Sequence, residues 1–145
     1  IPPEGMVHAL KQTHSILHSH GLLVNLVDLP VPSRLEVRSP GTLVRLGWLL
    51  DKDDCFEERA SLNALAQVVN QGLFDLEDER DFERNIHIDS LAEFRTWLAE
   101  KWSTAILPEP LLQRLEMLLC QPGEAGKIVV AVRTRITKLR AVYDE

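Results

Sequence analysis

The seven glycines of this sequence never fall in a Gly-x-Gly pair. Closely spaced glycines are what let backbone amides cradle a nucleotide phosphate at the start of a helix. Long apolar runs are missing too. None approaches the ~20 residues that a membrane-crossing helix needs. The longest, such as Gly21–Val27, are strand-sized, and no basic segment precedes an apolar one in the manner of a signal peptide. Membrane partners are therefore not expected. Basic charge is short as well. A net charge of −6 argues against nucleic acid as a partner, because phosphate neutralisation needs a surplus of Lys and Arg. The two cysteines, Cys55 and Cys120, lie far apart on predicted helices beside apolar residues. They read as small buried side chains without a disulfide, which points to a cytoplasmic location. No Gly-x-Ser-x-Gly and no Cys–His motif suggests a nucleophile. The chain opens on Ile1, which leaves its natural start undefined.

What is present is a globular composition. With 145 residues, 45% hydrophobic and 26% charged, residues 1–145 are expected to form a single domain. Helical spacing covers Glu4–Ser19, with Gly21 suited to a left-handed stop. Leu22–Leu29 is nearly all apolar and reads as a strand covered on both faces. Pro30 and Pro32 end it. Arg34–Ser39 alternates, Pro40-Gly41 signals a turn, and Thr42–Leu50 places Val44, Leu46, Trp48 and Leu50 on one face. A hairpin is expected there. Asp54 and Glu57 have capping-box spacing for a helix running to about Gln71. That helix is expected to bury Phe56, Ala60, Leu65, Val68 and Val69.

Leu73–Ile88 has period two, as one bent strand or two. Ser90 and Glu93 form a second capping box, followed by the apolar stripe Leu91, Phe94, Trp97, Leu98 and Trp102. Pro108 and Pro110 open a fourth helix, closed by Pro122-Gly123. Lys127–Tyr143 is a long β pattern. The predicted fold class is α+β, in the order α-β-β-β-α-β-α-α-β, with a mostly antiparallel sheet of about five strands and helices packed on it. Asp75–Glu83 is acidic and Arg133–Arg140 is basic. These two strands are predicted to lie side by side.

The segment Ala9–Val24 resembles the helix and fifth strand of class I S-adenosylmethionine-dependent methyltransferases, where L-x-E-x-x-R-V-L-K-P-G-G-x-L-V recurs. Leu10, Leu17, Gly21, Leu22 and Val24 match its apolar and glycine positions. His18-Ser19-His20 stands where Lys-Pro-Gly is usual. The resemblance implies the C-terminal half of such a fold, whose last two strands form an antiparallel pair. It carries over no cofactor residue, because the family's glycine-rich loop lies upstream of the matching helix. These residues alone are not expected to build that cofactor site, and no cofactor is assigned.

Individual residues offer little chemistry. His14 and His18, spaced i and i+4, could share a metal, but no third ligand adjoins them. A solvated helix face is the simpler reading, and no metal is assigned. His87 with Asp89 could act as a general base, but Asp89 is expected to start a helix. Asn25 and Asp28 interrupt an apolar strand, and Asp28 falls at its C-terminal end, where ligands gather in open sheets. A satisfied structural carboxylate competes with that reading. Trp48, Trp97 and Trp102 suit either a pocket or the core. A candidate pocket is therefore Asn25, Asp28, Trp48 and His87, its small-molecule ligand unspecified. No catalytic residue is assigned. The function expected is a non-catalytic module that binds a partner or itself, with a homodimer closing the open sheet edge. The alternatives are a piece of a methyltransferase and a small-molecule binder.

Overall fold

The computed structural model describes residues 5–120 and 126–143. Its elements, in chain order, are α1 (Met6–Ile16), β1 (Leu22–Asp28), β2 (Ser33–Ser39), β3 (Thr42–Asp51), α2 (Phe56–Asn70), β4 (Phe74–Ile88), α3 (Leu91–Lys101), β5 (Ala105–Ile106), α4 (Glu109–Leu119) and β6 (Lys127–Ala141). The fold is α+β with six antiparallel strands. The strand beyond the expected five is β5, a two-residue segment pairing Leu50 with Ile106 and Asp51 with Ala105. Two residues leave no periodicity to read.

Contacts gather into two compact units. Of the described residues, one takes those up to Pro30, Cys55–Phe82 and those from Thr134 on. The other takes Val31–Asp54 and the described residues between Glu83 and Arg133. Both divisions of the later chain fall inside long strands, β4 and β6.

In the first unit β1 pairs with β6 from Leu22 opposite Arg140 to Asp28 opposite Thr134. β4 also pairs with β6. A strand has two edges, so β6 lies between β1 and β4, which run parallel to each other. Ion pairs of the expected signs join β4 and β6. Glu77 meets Arg140 and Lys138, while Asp81 and Glu79 meet Arg135. The charge pattern was a true guide to this pairing. Leu65, Val68, Phe74, Leu139 and Ala141 form the core, with Val7, Leu10, Leu17 and Leu23 packed against it.

Several boundaries here differ from the expectations. The left-handed residue after α1 is His20 (φ 67°), not Gly21. Gly21 is needed for a different reason: a Cβ there would lie 2.8 Å from the His18 carbonyl oxygen. Asp54 is not the N-cap residue expected of it. The N-cap of α2 is Cys55, in a left-handed conformation and without a side-chain cap bond. Phe56 is exposed, because it stands on the first turn before the helix reaches the core. Cys55 is half-buried and Cys120 exposed, so neither is the buried side chain expected, although neither forms a disulfide.

In the second unit β2 pairs with both β3 and β6. The hairpin closes with Ser39 opposite Thr42, and Gly41 supplies the positive φ of its turn (76°). Its register shifts between Leu35 and Glu36: Leu35 faces Gly47, whereas Glu36 faces Arg45. One extra residue flips the side-chain alternation. Leu46 and Leu49 are therefore buried, while Trp48 and Leu50 are exposed. This corrects the single face predicted for Leu46, Trp48 and Leu50.

The core of this unit is Leu35, Val37, Leu46, Leu49, Ile88, Phe94, Leu115, Ile128, Val130 and Val132, with Trp97 and Trp102 packed on it. α3 starts as the sequence indicates, with Ser90 Oγ accepting from the Glu93 amide at 3.1 Å. The return bond from Glu93 goes to the Asp89 amide, one residue early. α4 carries Pro110 in its first turn, where the missing amide costs nothing. The expected stop at Pro122-Gly123 lies outside the described residues.

Candidate functional site

β1 is the outermost strand of its unit. Its only strand partner among the described residues is β6. Leu23 faces the α1–α2 side and packs on the core. Leu22, Val24 and Leu26 point the other way and are 44%, 56% and 61% exposed. The strand was expected to be covered on both faces; among the described residues one face and one edge have no cover. Across β6 the bare face continues as Ile136, Lys138 and Arg140, opposite Leu26, Val24 and Leu22. An apolar stripe is thus bordered by charge.

The candidate residues divide between the two units. Asn25 lines a cavity of about 380 Å³ with Met6, Leu10, Thr13, Ser61 and Leu65. Opposite it on β6, Thr137 is buried with its hydroxyl unpaired. Asp28 accepts a hydrogen bond from Thr134 Oγ1 at 3.0 Å, the structural role weighed for it. In the other unit, His87 is exposed on β4. Its proposed partner Asp89 instead takes Lys127 Nζ at 2.5 Å. Trp48 lines a cavity of about 430 Å³ with Val31, Pro32, Arg34, Glu83, Ala131 and Arg133.

His14 and His18 do not share a helix face. α1 ends at Ile16, so His18 lies beyond the helix. His14 Nε2 is hydrogen-bonded to the Val142 carbonyl at 2.8 Å, and its ring packs on Tyr143 and Phe74. The Tyr143 hydroxyl donates to the His14 and Leu17 carbonyls. His14 is thus a clamp between α1 and the end of the described chain.

The group that sequence reading missed is Glu36. Its side chain is 1% exposed, yet Arg34, Arg38 and Arg45 converge on it. Burial works to raise its pKa, but hydrogen bonds from Arg34 and Arg38, with their charges, outweigh burial and hold it below the usual carboxylate range. The signal was the Arg-x-Glu-x-Arg alternation within Arg34–Ser39. Arg34 also bonds Glu83 at 2.7 Å. Arg133 departs from its expected role. Arg135, Lys138 and Arg140 pair with acidic residues, whereas Arg133 has no ion pair among the described residues.

No protein-family model, characterised protein or solved structure matches this chain.

Proposed function

We propose that this chain is the non-catalytic, assembly-forming half of a methyltransferase-type fold, and that a cofactor-binding half lays a parallel strand along the open edge of β1. The observation that carries the reading is β1 itself. Leu22, Leu23, Val24, Leu26 and Val27 have the two-sided apolar composition of a strand inside a parallel sheet. Yet Leu22, Val24 and Leu26 are exposed, and the outer edge is unpaired among the described residues. Parallel β1 and β4 flanking an antiparallel β6 agree with the antiparallel final pair that the resemblance implies. α1 and β1 are the helix and strand that carry that resemblance. In this reading S-adenosylmethionine is held by the other half, and this chain contributes sheet, not cofactor contacts.

A second reading has its own observation. β1 is self-complementary: paired antiparallel with a copy about Asn25, Val24 meets Leu26 and Asp28 meets Leu22, so no like charges stand opposed. That would be a symmetric homodimer.

The deciding experiment is purification of the protein expressed from its natural gene, with mass and subunit composition determined. The expected result is a glycine-rich strand-loop-helix half present on the same polypeptide or in a stable complex. Its association is expected to be lost in a Val24→Lys variant, because an edge lysine opposes strand addition. A homodimer of this chain alone would overturn the first reading in favour of the second. Addition of S-adenosylmethionine to this chain alone is expected to leave its melting midpoint unmoved, since only binding to the native state raises it.

A further inference from the structure

The cavity beside Trp48 is built wholly from the second unit and is independent of β1. Arg34 pairs with Trp48 on β3 and with Ala131 on β6. Directly paired residues share a face, so Trp48, Arg34 and Ala131 form one row across three strands. This face is opposite the core, to which Leu35, Leu49 and Val130 belong. Arg34 on β2 lies between Trp48 on β3 and Ala131 on β6. Arg133, two residues along β6 from Ala131, is on the same face and lines the same cavity. Val31 and Pro32 add apolar lining from the loop before β2.

Two features of this cavity lack a structural reason. Trp48 is 54% exposed, and its indole nitrogen has no hydrogen-bond partner among the described residues. By contrast, Trp102 Nε1 donates to Asp51 at 3.1 Å. Arg133 is exposed and has no ion pair among the described residues, whereas Arg34 is pinned between Glu36 and Glu83. The cavity is therefore lined by two guanidinium groups and one carboxylate, Glu83, which leaves one net positive charge.

We propose that this cavity binds a planar aromatic carboxylate. The indole face takes the ring by stacking, and the guanidinium fork of Arg133 takes the carboxylate through paired N–H bonds. A singly charged ligand fits the local charge. A dianionic phosphate would exceed the one positive charge left over, because Arg34 is already paired with Glu36 and Glu83. The volume of about 430 Å³ lies in the range of small-molecule sites.

The test is isothermal titration of the purified chain with 2-naphthoate, and with 2-naphthamide as the uncharged isostere. Saturable binding at one site per chain is expected for the naphthoate. The naphthamide, and the variants Arg133→Gln and Trp48→Leu titrated with naphthoate, are each expected to bind about tenfold more weakly or worse, the loss of one charge-assisted contact or one stacking face. Both side chains are exposed, so melting curves of the variants are expected to match the parent, and that comparison separates lost binding from lost fold. Absence of saturable binding at millimolar naphthoate, equal binding of the amide, or binding unchanged in both variants would overturn the assignment.

Discussion

Arg135 grips Asp81 across the β4–β6 pair through two hydrogen bonds, Nε to Oδ1 at 2.7 Å and Nη2 to Oδ2 at 3.1 Å. The planar fork of arginine matches a carboxylate in this way and a lysine cannot. Glu79 also approaches Arg135, at 3.5 Å. The pair holds the acidic stretch of β4 in register against the basic stretch of β6.

Both partners of that contact are about one third exposed, so solvent screens it. Asp81→Asn is expected to lower stability by about 0.5–1 kcal/mol in urea denaturation. A double-mutant cycle with Arg135→Gln should recover most of that as coupling. The coupling should shrink as salt is raised. A coupling indistinguishable from zero at low salt would mean that backbone pairing alone sets the register.

Glu36 gives a pH prediction. Its folded-state pKa is lowered, despite burial, by hydrogen bonds from Arg34 and Arg38. A lowered carboxylate pKa contributes stability that is fully present above the unfolded value of ~4.3. That contribution is lost as pH falls through the folded value. Stability of the parent should therefore decline below about pH 5, and Glu36→Gln should flatten this part of the profile. At neutral pH the same variant should be less stable by about 1–3 kcal/mol. The arginines it leaves behind are partly exposed and can rehydrate, which keeps the loss below that of a sealed ion pair. Parallel urea titrations at pH 7 and pH 4 check both statements.

Much of the element order was legible because it rests on local chemistry. Ser90 and Glu93 mark the start of α3. The opposed charges of β4 and β6 mark their pairing. What was not legible depends on neighbours distant in sequence. The apolar residues of β1 announce burial on two faces, but among the described residues only one face has a partner. Glu36 looks like an outward strand residue until three arginines fold over it. Trp48 and Arg133 are far apart in sequence and come to line one cavity only when β2 lies between β3 and β6. The face of Trp48 itself was misread because a bulge has no strong local signature. Gly47 was its one trace.

Gly47 supplies the last prediction. Its φ is 152°, and a Cβ there would lie 2.9 Å from Leu111 Cδ2. Gly47→Ala therefore meets two obstacles, an unfavourable backbone conformation and a clash with α4. Together they should cost about 2 kcal/mol or more. Gly41→Ala separates the two, since Gly41 also has a positive φ (76°) but nothing within 4 Å of the added carbon. That variant should lose only about 1 kcal/mol. Leu111→Ala shortens the obstructing side chain, so Gly47→Ala should cost less in that background than in the parent. Guanidinium unfolding of the four proteins in the Gly47–Leu111 cycle measures the difference. If Gly47→Ala costs the same in both backgrounds, close packing of α4 on the bulge is not what requires glycine, and backbone conformation alone explains it.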